Sequence, residues 1–337
     1  MDALSEVLRA VKLDSAFFFN AEFSAPWSFR SPNSCKLAPY INQSCGHVIV
    51  YHLLIDGRAY AQLGDERIAI VPGDVVICPH GDAHAFESEP CPNGVDGEGE
   101  LQRIFTRGLK LSRMGGGGDV ARFICGFMVC EASLSQLFLA GLPPMFKVNI
   151  RQDQSGQWLE NSIRFSLADG EASGEGTEAV LAKLSETLFI ETLRRYIRSS
   201  PEAQTGWLAG ARDARIGKVL ALMHRQTATG WTVSSLANEA GISRSVLAKR
   251  FRQYLGEGPL SYLTRWRLQV GAQMLSSTGD SVAQIASKVG YDSEQAFNRA
   301  FKRKFGDPPA RYRKERRENR PKQSADTLTD AMRQHSR

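Results

Sequence analysis

The chain has 337 residues, of which 42% are apolar and 23% charged, with a formal net charge of +6, the composition of a globular protein long enough for two or more domains. No apolar run approaches the roughly 18 residues of a membrane span. Met1-Asp2-Ala3 lacks the basic and apolar segments of a secretory signal, and the six cysteines form no CxxC pair, so the expectation is a cytoplasmic protein with reduced thiols and no membrane partner. The charge is uneven. Residues 211–320 hold 21 Lys+Arg against 9 Asp+Glu, whereas residues 1–210 hold 18 against 25, which points to a polyanion as the partner of the C-terminal part alone.

Residues 15–130 read as strands. Apolar runs at 47–55, 67–71, 75–78 and 123–129 are separated by Asp56-Gly57, Gly64-Asp65, Pro72-Gly73-Asp74 and the stretch 115–119, the rhythm of a β-sandwich or barrel. Residues 88–100 read as an acidic loop, and helices are expected near 133–140 and 157–168. The stretch 169–177 (DGEASGEGT) reads as a linker. Residues 178–198 then form an amphipathic helix with Leu181, Leu184, Leu188, Phe189, Leu193, Tyr196 and Ile197 on one stripe. That stripe suits its own domain and a homodimer interface equally. From Ala211 to about Arg313 the pattern is helical, and the polar tail 314–337 is expected to be disordered.

The helical region repeats itself. Ser243, Leu247, Phe251, Gly256, Pro259 and Tyr262 recur fifty residues later as Ser293, Phe297, Phe301, Gly306, Pro309 and Tyr312. Upstream of each serine stands a short apolar helix closed by a glycine, Gly241 or Gly290. Such a glycine permits the sharp turn of a helix-turn-helix, and the serine caps the second helix. Ser281 with Gln284 adds a capping box to the second copy. Generic helical packing accounts for the apolar spacing but not for duplicated turn chemistry.

A step of about 100° per residue places Ser245, Ala248, Lys249 and Arg252 on the outer side of the first unit's second helix, and Gln295, Asn298, Arg299 and Lys302 on that of the second. Gln and Asn pair bidentately with adenine, and Arg or Lys with guanine. Arg252 and Lys302 are better placed for backbone phosphates, while Arg244 and Glu294 flank the helix starts. Lys249 and Arg299 are the foremost candidates for base contacts. A long helix over 259–275 separates the units and sets the distance between the two grooves they read, about 34 Å.

Residues 211–313 resemble the DNA-binding domain of the AraC/XylS family of bacterial transcription regulators. The resemblance is carried by Leu236-Ala237, Gly241-Ile242-Ser243, Phe251, Gly256, Arg267-Leu268, Ile285-Ala286, Val289-Gly290-Tyr291, Phe297, Phe301-Lys302, Phe305-Gly306, Pro309 and Tyr312-Arg313. Double-stranded DNA and RNA polymerase are the partners it implies. The N-terminal part is similar to the cupin-type sensor domain of some members. Gly73, Pro79, Gly81 and His84 fit the second cupin motif, and Gly46 and His52 fit the first, although Leu54 stands where a second histidine is expected and the glutamate is missing.

The expected architecture is therefore multi-domain α+β. A cupin-like β-barrel sensor (1–168) precedes a linker with connecting helix (169–210), a double helix-turn-helix domain (211–313) and a tail. His52 and His84 are candidates for contact with a small-molecule effector. With half the cupin ligand set missing, neither a metal nor another cofactor is expected, and no catalytic motif is present. The competing readings are a metal-dependent cupin enzyme fused to a DNA-targeting domain and a nonspecific chromosome-organising protein.

Overall fold

The computed structural model describes residues 2–10, 13–34, 36, 47–89, 95–96, 110–130, 139–171, 175–199 and 206–318. Helix α1 (Ala3–Ala10) leads into eleven strands. These are β1 (Leu13–Ser24), β2 (Ser28–Ser31), β3 (His47–Asp56), β4 (Ala59–Leu63), β5 (Glu66–Ile70), β6 (Asp74–Cys78), β7 (His84–Glu87), β8 (Val95–Asp96), β9 (Ser112–Gly115), β10 (Val120–Cys130) and β11 (Phe146–Asn149). A 3-10 turn, Leu139–Gly141, precedes β11. Of the helix expected at 133–140, only residues 139–140 lie within the described residues. The expected loop at 88–100 is described at 88–89 and at β8, which pairs in parallel with Phe29 and Arg30.

The strands form two sheets, with orders β11-β6-β3-β10-β1-β9 and β5-β4-β7-β2-β8. The sheet is not closed as the barrel that the sequence suggests. Closure needs a ladder between sheet edges, and among the described residues none joins β11 or β9 of the first sheet to β5 or β8 of the second. β3 shows why its sequence is apolar almost throughout. Val48, Val50 and Leu54 face the other sheet, in a core with Phe23, Trp27, Phe29, Phe86 and Phe123. Ile49, Tyr51, Leu53 and Ile55 face a helical layer. A strand covered on both faces loses the alternation of a half-exposed one.

That layer consists of α2 (Gln154–Glu171) and α3 (Thr177–Ser199). Packing of Ile163 and Leu167 carries α2 three residues into the expected linker; residues 172–174 lie outside the described residues. On α3, Leu181, Leu188, Phe189 and Leu193 are buried against the chain's own sheet and helices, and the Ser185 hydroxyl bonds that of Tyr51. The stripe left open by the sequence is thus taken up within the chain. Apolar surface remains at Trp158 (63% exposed) and Phe165 (76%) of α2.

The C-terminal half is helical: α4 (Trp207–Arg212), α5 (Ala214–Arg225), α6 (Val233–Ala240), α7 (Arg244–Leu255), α8 (Pro259–Ser277), α9 (Val282–Lys288), α10 (Glu294–Phe305) and α11 (Pro309–Glu318). α11 runs five residues into the expected tail. Ion pairs of Arg311 with Asp307 and Glu315, four residues to either side, and Arg316 over the Tyr312 ring support the extra turn. Residues 319–337 lie outside the described residues.

Two features join the halves. Helix α1 packs on α5, with Ala3 and Val7 buried, and the 3-10 turn touches α4. One hydrophobic core therefore runs from the outer face of the six-stranded sheet through α2 and α3 into α4–α8, ending at Tyr262, Leu263 and Trp266. A separate core holds α9 and α10 against the end of α8, built from Leu268, Ala272, Leu275, Ile285, Val289, Phe297 and Phe301.

Candidate nucleic-acid interface

Two helix pairs, α6–α7 and α9–α10, are built from the same local parts. α6 begins in a capping box. The Thr232 hydroxyl accepts from the Ser235 N–H at 3.0 Å, and the Ser235 hydroxyl accepts from the Thr232 N–H at 2.9 Å. This box escaped the sequence reading because serine, rather than Glu or Gln, returns the bond. α9 begins in the expected one, Ser281 with Gln284.

Each first helix ends at a left-handed glycine, Gly241 with φ 64° and Gly290 with φ 83°, where a side chain is disfavoured. Space forbids one at Gly290 as well, since a Cβ there would sit 2.7 Å from the Ala228 carbonyl oxygen and from Arg267 Nη2. Ser243 and Ser293 then cap the second helices by accepting from the N–H groups of Val246 and Ala296 at 3.3 and 3.2 Å. Leu247, Phe251, Phe297 and Phe301 point inward and are fully buried.

The outward side holds the candidate contacts. Arg244, Ser245, Lys249 and Arg252 are exposed and Ala248 is half-buried; Glu294, Gln295, Arg299 and Lys302 are exposed and Asn298 is half-buried. Asn298 Oδ1 is buried without a hydrogen-bond partner. Among the described residues, Lys249, Arg252, Arg299 and Lys302 enter no ion pair, whereas Arg250 is held by Asp213 at 2.9 Å and Lys288 by Asp280 at 2.8 Å. The bases of this half are thus sorted into paired ones and ones without an ion pair among the described residues. Val246, 40% exposed beside Ser245, is an addition that the sequence reading missed.

The pairs are not strung on α8 alone. Arg267 of α8 donates from Nε to the Thr227 carbonyl at 2.9 Å and from Nη2 to that of Thr229 at 2.7 Å. Trp266 Nε1 donates to the Thr227 hydroxyl at 3.1 Å. The loop before α6 is thereby pinned to α8 where Gly290 meets it. A second lock lies below α7. Trp207 Nε1 donates to the Tyr262 hydroxyl at 2.8 Å, and that hydroxyl lies 2.7 Å from His224 Nε2. His224 stacks on Trp266 with ring centroids 4.0 Å apart. Burial pushes its pKa down to about 3, so the ring is neutral at pH 7.

The other sequence candidates lie between the sheets. His52 and His84, 2% and 5% exposed, are brought together in a directed chain. The Asp82 carbonyl can only accept, so His84 Nδ1, 2.7 Å away, carries the proton and His84 Nε2 accepts. His52 Nε2 donates to it at 2.8 Å, which leaves His52 Nδ1 to accept from the Cys125 thiol at 2.9 Å. Burial lowers both imidazole pKa values and raises that of the thiol, so all three groups are neutral. His47 and His80 lie against the carbonyl oxygens of Pro79 and Leu142 instead. These residues do not fit the cupin metal: the two facing nitrogens share a proton, Cys125 lies on the far side of His52, and no three His, Cys, Asp or Glu converge among the described residues. Among the described residues, no helix is long and apolar enough to cross a membrane.

Comparison with known proteins matches this division. The cupin family matches residues 2–198, and the helix-turn-helix domain family matches residues 236–315. A Streptomyces lividans protein named as an AraC-like transcription regulator is 32% identical over 318 residues, 93% of this chain and 98% of its own. The HTH-type transcriptional regulator AlkR of Acinetobacter baylyi is 27% identical over 94% of this chain and 100% of its own. The Escherichia coli activator RclR, described as RCS-specific, is 30% identical over 81% and 87%. These relatives are transcription regulators and not enzymes. The chain belongs to the AraC family of DNA-binding transcription regulators and carries an N-terminal cupin domain.

Proposed function

We propose that α6–α7 and α9–α10 are two helix-turn-helix units of a ligand-responsive regulator. Their second helices, α7 and α10, enter successive major grooves of one duplex, about 34 Å apart. Lys249 and Arg299 read bases, Ser245, Ala248, Gln295 and Asn298 add contacts beside them, and Arg252 and Lys302 hold phosphates. Arg244 and Glu294 flank the helix starts. The observation that carries this reading is the recurrence of the same exposed positions on two equally capped helices. Missing-contact footprinting with the full chain tests it. Two major-groove segments one helical turn apart should be protected, with Lys249→Ala losing a base contact in one and Arg299→Ala a base contact in the other; a single protected segment would refute two-site reading.

The N-terminal half is the sensor in this proposal. Its reach extends to the end of α3, because α3 completes the helical layer on the sheet. His52 and His84 lie in its sealed interior, so an effector that touches them must part the sheets. A homodimer through 178–198 would use the outward side of α3, where Val180 is exposed. The regulator works in the cytoplasm, and RNA polymerase is its partner at the promoter.

A further inference from the structure

On the other face of the six-stranded sheet, away from His52 and His84, a cavity of about 600 Å³ opens beneath the C-terminal half of α2. Its floor is Ile55, Ile124 and Asn20 of the three central strands, and Leu167 and Ala168 of α2 overhang it. Two guanidinium groups line it from different elements, Arg122 of β10 and Arg164 of α2. This is the size and the mixture of apolar wall with few polar groups that small-molecule sites have.

The two arginines are incompletely used. Arg122 donates through Nη2 to Glu22 at 2.6 Å, while its Nε is buried with no hydrogen-bond partner. Arg164 reaches Asp56 only at 3.5 Å and Glu160 at 3.6 Å. Glu160 already holds Arg151 through two bonds of 2.6 and 2.7 Å. A buried N–H without an acceptor is unfavourable, and a guanidinium is suited to a carboxylate. The acids nearby limit the anion. Glu22 is shared by Arg122 and Arg113, and Asp56 lines the cavity, so two lining cations face one lining carboxylate. The balance fits one negative charge.

We propose that this cavity binds a small organic monocarboxylate, its carboxylate between Arg122 and Arg164 and its apolar body on Ile55, Ile124 and Leu167. The site deepens the sensor reading, since an occupant bridges the sheet and α2, but binding itself does not depend on that reading. Calorimetry on the full chain tests it with cyclohexanecarboxylate and heptanoate as probes and cyclohexanecarboxamide as the neutral counterpart. One saturable site per chain is expected for at least one carboxylate, with the amide weaker by about tenfold or more.

Arg164→Gln should cost about tenfold in affinity, and Leu167→Trp, which fills the cavity, should abolish binding. Arg164 is half-exposed, so its variant reports on binding even where Arg122→Gln unsettles the Glu22 pair. Arg67→Gln, on the far sheet, should change nothing. No saturable binding by about 10 mM, equal binding of acid and amide, or undiminished binding by Leu167→Trp would overturn the proposal. DNA affinity measured with and without the acid is read separately: binding without any change in DNA affinity leaves the site standing and counts against the sensor reading.

Discussion

The two helix pairs share caps, turn glycines and inward aromatic or aliphatic anchors, yet they sit in the molecule differently. The α6–α7 pair shares its core with α1, α2, α3 and the sheet. The α9–α10 pair has a core of its own with the end of α8. Their outer faces differ in the same direction. α7 presents Ser245, Val246 and Ala248 beside Lys249, whereas α10 presents Gln295, Asn298 and Arg299 and ends in Lys302, Arg303 and Lys304. The first pair is tied to the N-terminal half and chemically plain; the second is insulated and rich in hydrogen-bonding groups. On the proposed reading, coupling and base recognition are weighted toward different pairs.

The largest test removes the core of the insulated pair. Phe301→Ala should cost about 3–5 kcal/mol and raise amide exchange across α9–α11, while exchange in the sheet and α5–α7 stays slow. Equal loosening everywhere would erase the distinction between the two cores.

Acid should attack the other side. His47, His52, His84 and His224 all have folded pKa values below the usual 6.5, and no histidine falls in 282–318. A depressed histidine contributes stability above its unfolded pKa, lost as protons bind the unfolded chain more readily. For His224 alone the loss should reach roughly 2–3 kcal/mol by about pH 4.5. In thermal melts between neutral pH and that point, the N-terminal half and α4–α8 should weaken before α9–α10, and His224→Phe should flatten part of the slope.

Base readout is a finer probe. Arg299→Ala should lower affinity by about 1–3 kcal/mol at one base pair, measured by binding to single-base variants, whereas Lys302→Ala should weaken all sites alike and reduce the salt slope. Uniform loss for Arg299→Ala would remove it from base contact. The smallest effect belongs to the caps. Ser293→Ala should cost about 1 kcal/mol in denaturant midpoint, close to that of Ser243→Ala, because each hydroxyl accepts one backbone N–H at nearly the same distance, 3.2 and 3.3 Å.

What could be read in advance follows the range of the interaction. The caps at Ser243, Ser281 and Ser293, the glycine turns and the outward positions on α7 and α10 depend on residues a few places apart, and all were legible. Strand positions were legible too. Whether the sheets close was not, because closure depends on which edges meet across the whole half. The shared core was equally hidden: nothing in 3–10 announces α5 as its seat, and Arg267, quoted within a family pattern, gives no sign that its acceptors are the carbonyl groups of Thr227 and Thr229. His52 and His84 were found as a pair, but the thiol that completes their chain comes from β10 through the register that sets Cys125 opposite His52.

Seating α1 on α5 has a practical consequence. A fragment begun at residue 211 would leave behind Ala3 and Val7, the side chains that cover α5, together with Trp207 and Leu208. α5 would then present a bare greasy socket to water, prone to self-association, although every candidate DNA-facing side chain had been retained. Adding back residues 2–10 as a separate peptide should restore its solubility.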